Sequence, residues 1–130
     1  MHLDTCFLID LQKEKICGME GAAHRFLSDH ADEPMSCSTV VISEYCEGFQ
    51  DDELWKAMPF LSAFECVSVD FQVALKVSRI RRTLRKSGNL LPDNDLFIAA
   101  CALEKGSSLV TENPDHFRRI EGLDLIGYRS

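Results

Sequence analysis

The chain has 130 residues, 45% hydrophobic and 27% charged, ordinary globular values that predict one domain, residues 1–130, with a core of its own. No run of eighteen apolar residues offers a membrane span, and a formal net charge of −7 argues against generic attraction to nucleic acid, so any nucleic-acid chemistry needs local positive charge. The six cysteines lack CxxC spacing, which argues against a zinc site or a disulfide framework and predicts reduced, buried fillers.

His2–Leu3 is the first strand candidate. The N-terminal stretch lacks the basic flank and long apolar run of a signal peptide, so a cytoplasmic protein is expected. Asp4 then falls at the carboxyl end of a strand, where open α/β sheets bind ligands, although the same residue also suits a helix N-cap. Met35–Ser38 is the second strand. Ser36 and Ser38 lie at its polar end, where each either orients a ligand or satisfies backbone groups. Glu44 follows within Thr39 to Phe49, and by itself it reads as an ordinary solvated helix Glu.

Trp55, Met58, Phe60, Leu61 and Phe64 read as core by default and as a partner surface second. Cys66–Val69 is the third strand. Phe71 to Lys86 carries Val73, Val77, Ile80 and Leu84 at helical spacing, and Gly88 ends that helix. Arg79, Arg81, Arg82, Arg85 and Lys86 place five of the fourteen basic residues on its other faces, either a solvated surface or a phosphate-contacting patch. Asp95 opens the next helix, with Pro92, Asp93 and Asn94 as loop and cap residues and Asp93 the structural one. Alone, Asp95 reads as a routine first-turn acid. Ser108–Thr111 and Leu125–Gly127 are the remaining strands. His2, His24, His30 and His116 show no ligand spacing of the HExxH kind and read as surface or structural residues.

Strands alternating with helices imply βαβ units, so the class is α/β: a short parallel sheet flanked by helices on both faces, a Rossmann-like three-layer sandwich. In such a sheet Asp4, Glu44 and Asp95 can be delivered to one edge. Three converging carboxylates need a hard divalent cation, Mg²⁺ or Mn²⁺.

Local wording goes further. LDTCFLIDL, SCSTVVISEYCEG and NDLFIAACALEKGSSLVTENPDHFRRIEGLDLI together resemble the PIN-domain family, especially its VapC-type toxins, over essentially the whole chain. The resemblance implies a Mg²⁺- or Mn²⁺-dependent endoribonuclease, usually homodimeric, that cuts RNA such as tRNA, rRNA or mRNA and is neutralised by a cognate antitoxin. On this likeness Asp4, Glu44 and Asp95 match the three acidic positions, the last within D-x-x-I-A-A. Asn113 and Asp115 are both candidates for the fourth metal position; Thr5, Ser38 and Thr111 are supporting residues; Arg79, Arg82, Arg85 and Lys86 are RNA-binding candidates. Cys6 stands where relatives carry Asn or Ser. A receiver or phosphohydrolase is disfavoured, because Asp4 opens no D-x-D-x-[TV] motif and no Lys follows Thr111. A catalytically silent PIN-like protein-binding module is the alternative.

Overall fold

Strands of two or three residues alternate with helices in the computed structural model, which describes residues 1–129. Strand β1 (His2–Leu3) leads into α1 (Thr5–Cys17) and α2 (Ala22–Asp29), and β2 (Ser36–Ser38) into α3 (Thr39–Cys46). A 3₁₀ helix (Asp51–Ala57) and the single turn α4 (Met58–Leu61) precede β3 (Glu65–Val67). The chain continues through α5 (Phe71–Ser87), α6 (Asp93–Lys105), β4 (Leu109–Thr111), α7 (Pro114–Phe117) and β5 (Leu125–Gly127). All pairings are parallel, in the order β3-β2-β1-β4-β5.

The three central strands are buried along their whole length, as a parallel sheet covered on both faces requires. Leu3, Leu109 and Val110 pack with Phe7, Leu11, Leu96 and Ile98 in one hydrophobic core. His2 is enclosed there as well. Its Nδ1 lies 2.8 Å from Ser36 Oγ, and burial, helped by the charges of the N-terminus and Lys105, lowers its pKa to about 4, so the ring is neutral at pH 7.

The first and last strands fall on the expected residues. The third is Glu65–Val67 rather than Cys66–Val69: it pairs only with β2, from Ser36↔Glu65 to Ser38↔Val67, and that partner's length ends it. Beyond it the Val69 N–H turns to Thr39 Oγ1.

Helix α5 forms as its apolar stripe predicts. Asp70 caps it by accepting the Val73 N–H, Val73, Val77 and Leu84 are buried, and Gly88 ends it at φ 72°, a left-handed conformation that glycine adopts without strain. The pairs Lys76–Glu104 and Arg81–Asp93 show that α6 runs back along α5, so the basic last turns of α5 lie level with the start of α6.

Three expectations are corrected. Helix α6 begins at Asp93, two residues before Asp95, because Pro92 already carries the fixed φ that suits a helix entry; Asp93 makes no cap bond and instead takes Arg81 at 3.0 Å. Trp55 and Met58 are 67% and 47% exposed rather than core, since the 3₁₀ helix turns only Ala57 fully inward, while Phe60, Leu61 and Phe64 are partly buried. All six cysteines are free, but only Cys37 and Cys101 are buried; Cys17 and Cys66 are exposed because they sit at a helix end and on the edge strand. Among the described residues no helix is long and apolar enough to cross a membrane.

Candidate functional site

Strand β1 stops at Leu3 because Asp4 starts a helix. The Asp4 backbone is extended and its Oδ1 accepts the Thr5 N–H at 2.8 Å, an N-cap on α1. Its other oxygen accepts the hydroxyl of Thr111, from the end of the neighbouring β4, at 2.8 Å, and the Cys6 thiol at 3.6 Å. Asp4 is nonetheless only 9% exposed. Burial raises its pKa, and the negative charge of Asp95 adds to the rise against the hydrogen bonds of Thr111 and Thr5. Burial and the Asp4 charge together push the Cys6 thiol up to about 12, so Cys6 is a protonated donor here.

Glu44 reaches the same edge from α3. Ser38 caps that helix by accepting the Val41 N–H, and Glu44 lies nearly two turns on. Its Oε1 accepts the Thr5 hydroxyl at 2.6 Å and its Oε2 the Asn94 amide at 3.3 Å. Asn94 immediately precedes Asp95 in the first turn of α6. Three carboxylates separated by 40 residues and more in sequence are therefore linked from Asp4 and Thr5 through Glu44 to Asn94 and Asp95. Asp95 Oδ2 is held by His116 Nε2 at 2.8 Å.

The remaining predicted residues divide. Thr111 belongs to the site: it donates to Asp4 and accepts the Asn113 N–H at 3.3 Å, which keeps Asn113 close by. Asp115 is engaged elsewhere, paired with Arg118 on the surface. Ser38 is fully buried and occupied in capping, so it supports the backbone of α3. Arg79, Arg82, Arg85 and Lys86 are exposed on α5, outside this network.

The three carboxylates form an all-oxygen donor set, and among the described residues Asp4 pairs with no Lys or Arg, a chemistry that suits a hard divalent ion. Among the described residues no three His, Cys, Asp or Glu side chains surround one point closely enough to hold a metal; the oxygens of the three carboxylates, Asp95 Oδ1 apart, accept bonds from Thr5, Thr111, Cys6, Asn94 and His116. Two members of the network had no sequence signal of function. Asn94 read as a loop or cap residue, and His116 stood among four histidines without ligand spacing; the only sign for His116 is its place five residues beyond Thr111, on the turn leaving the sheet edge.

The model of the PIN domain matches residues 1–123. Ribonuclease VapC1 of Methanocaldococcus jannaschii is 32% identical over 127 residues, covering 97% of this chain and 85% of that protein. Ribonuclease VapC2 of Rickettsia felis is 33% identical over 96 residues, covering 70% and 72%. Among solved structures, the DNA-bound VapBC of Salmonella typhimurium superposes with a TM-score of 0.83 at 25% identity, over 98% of this chain and 96% of that one.

Proposed function

Because the chain belongs to the PIN-domain family, we propose that it is a divalent-metal-dependent endoribonuclease and the toxin of a toxin–antitoxin pair. The observation that carries this reading is the position of Asp4: a buried carboxylate beside a second one, linked through Thr5 to a third, with hydroxyl, thiol and backbone donors but no Lys or Arg among the described residues to offset its charge. A buried acid beside a like charge, with no Lys or Arg of its own, is disfavoured in a fold unless something cationic arrives.

Asp4, Glu44 and Asp95 would hold Mg²⁺ or Mn²⁺, with Asn113 better placed than Asp115 to join them. When bound, the ion supplies acidity to water and offsets charge building on the scissile phosphate. Thr111 and Thr5 orient the Asp4 and Glu44 carboxylates through the hydrogen bonds described above. Arg79, Arg82, Arg85 and Lys86, exposed on α5, would meet RNA phosphates and would provide the local positive charge that a chain of net charge −7 requires.

The antitoxin belongs to the same reading. The VapBC of Salmonella typhimurium is among the solved neighbours, and this chain carries an open groove of about 570 Å³ where Ile16, Phe49, Trp55, Pro59 and Phe60 lie among Lys15, Glu53 and Lys56. Ile16 and Trp55 are 76% and 67% exposed, surface that a partner would cover. A homodimer acting in the cytoplasm completes the proposal.

Controlled expression of the chain beside Asp95→Asn tests it, with RNA ends sequenced after brief induction. Growth arrest and new RNA ends are expected with the parent alone. Identical behaviour of the two proteins would overturn the assignment.

A further inference from the structure

Asp4 and Glu44 are each steadied at both oxygens, Asp4 by Thr5 on one and by Thr111 with Cys6 on the other, Glu44 by Thr5 and Asn94. Asp95 differs. Among the described residues its only hydrogen-bond partner is His116, at Oδ2, and Oδ1 has none. We propose that His116 is a positioning residue, fixing the Asp95 carboxylate by one N–H bond so that its second oxygen stays directed to a divalent cation. The inference rests on the metal-site reading above.

The imidazole is itself held by the fold. β4 ends at Thr111, and Pro114 opens α7 and sets its direction. The His116 N–H then bonds the Asn113 carbonyl at 3.2 Å, and the ring lies edge-to-face on Phe117 at 5.0 Å. Phe117 is only 1% exposed and anchors α7 in the core without help from His116. α7 is therefore already attached to the core, and the His116 bond to Asp95 adds direction rather than attachment. Carboxylates that bind metal are commonly oriented by such outer partners, and losing one weakens metal binding ten- to hundredfold.

A single Nε2–H is the whole requirement, so a side chain that keeps a donor at similar reach should replace it. Gln offers one and Ala does not. The test is a calorimetric titration of Mn²⁺ into the purified full chain without RNA, on the parent, Asp95→Asn, His116→Ala and His116→Gln, with Tm measured for each. Expected are clear binding by the parent, loss in Asp95→Asn, a ten- to hundredfold weaker Kd in His116→Ala, and recovery of most of that loss in His116→Gln. His116→Ala should melt within about 4 °C of the parent, because the core contacts of Phe117 remain.

Parent-like Mn²⁺ affinity in His116→Ala would overturn the role of His116 while leaving the metal site intact. Equal weakening in the Ala and Gln variants, accompanied by a lower Tm, would make His116 a structural strut and overturn it too. A parent that binds no Mn²⁺ would remove the metal-site reading itself, and this inference with it.

Discussion

The start and the middle of α1 hold two buried carboxylates in contrasting surroundings. Asp4 at its start and Asp10 within it are 9% and 8% exposed, so the cost of taking each from water is similar. Asp10 has its countercharge: Arg129 lies against it, and the Tyr128 hydroxyl bonds the same oxygen. Asp4 has neutral donors and a like charge nearby instead. Glu14, one turn beyond Asp10, follows a third course. It accepts the N–H groups of Gly21, Ala23 and His24 and the His24 ring, serving as the N-terminal cap of α2 from another helix. A Cβ at Gly21 would come within 2.6 Å of that carboxylate, so only glycine admits the arrangement. Asp10 and Glu14 meet cationic or helix-end partners; Asp4 has neutral donors alone and, among the described residues, no Lys or Arg paired with it.

Substitutions along the helix and across to α5 break or sharpen that contrast. The largest effect is expected from Asp4→Asn, which should cut RNA cleavage more than about a hundredfold. Its urea midpoint should stay where it is or rise, since the charge removed is one that burial disfavours. Asp10→Ala should do the reverse, lowering stability by about 2 kcal/mol in urea titration as Tyr128 and Arg129 lose their partner, a figure already reduced because the Arg129 side chain is 53% exposed. Cleavage per folded molecule should be unchanged.

Reversing Arg82 and Arg85 to Glu should weaken cleavage roughly tenfold and flatten its salt dependence by about 1.4 in log–log slope, two phosphate contacts on single-stranded RNA. Unchanged cleavage would make that face of α5 merely solvated. The smallest effect is Glu14→Ala, about 1 kcal/mol for the lost cap. Glu14 also predicts a pH dependence. Burial acts to raise its pKa, but the N–H and ring of His24, with the Ala23 and Gly21 N–H groups, hold it below its ordinary 4.5. A depressed carboxyl stabilises the fold above its unfolded pKa, so this contribution is complete above pH 4.5 and fades as acid is added below it. Denaturation curves of parent and Glu14→Ala should converge over that range.

How much of this was legible in the sequence varied with the reach of each interaction. The strands and α5 could be read because their signals are local: short apolar runs between polar turns, an apolar stripe at helical spacing, and Gly88 at the end. Asp4, Glu44 and Asp95 were individually indistinguishable from a cap, a solvated Glu and a first-turn acid, and Asp4 is in fact also a cap. Only the wording around all three joined them. The His116–Asp95 bond spans 21 residues and the Thr5–Glu44 bond 39, distances at which neither periodicity nor spacing leaves a trace. The start of α6 is not legible because Pro92 presets the helix entry two residues before Asp95, while Asp93, which suits a cap by composition, pairs with Arg81 on α5. Trp55 was misplaced since an apolar run does not reveal which of its faces a 3₁₀ helix turns outward.

The contrast between Asp4 and Asp10 is tested most directly by cleavage of an end-labelled structured RNA with purified parent, Asp4→Asn and Asp10→Ala, at matched folded concentration with Mn²⁺ and again with a chelator. Cleavage by the parent and Asp10→Ala, stopped by the chelator and absent in Asp4→Asn, is the predicted result. Undiminished, chelator-insensitive cleavage by Asp4→Asn, or loss in Asp10→Ala alone, would contradict it.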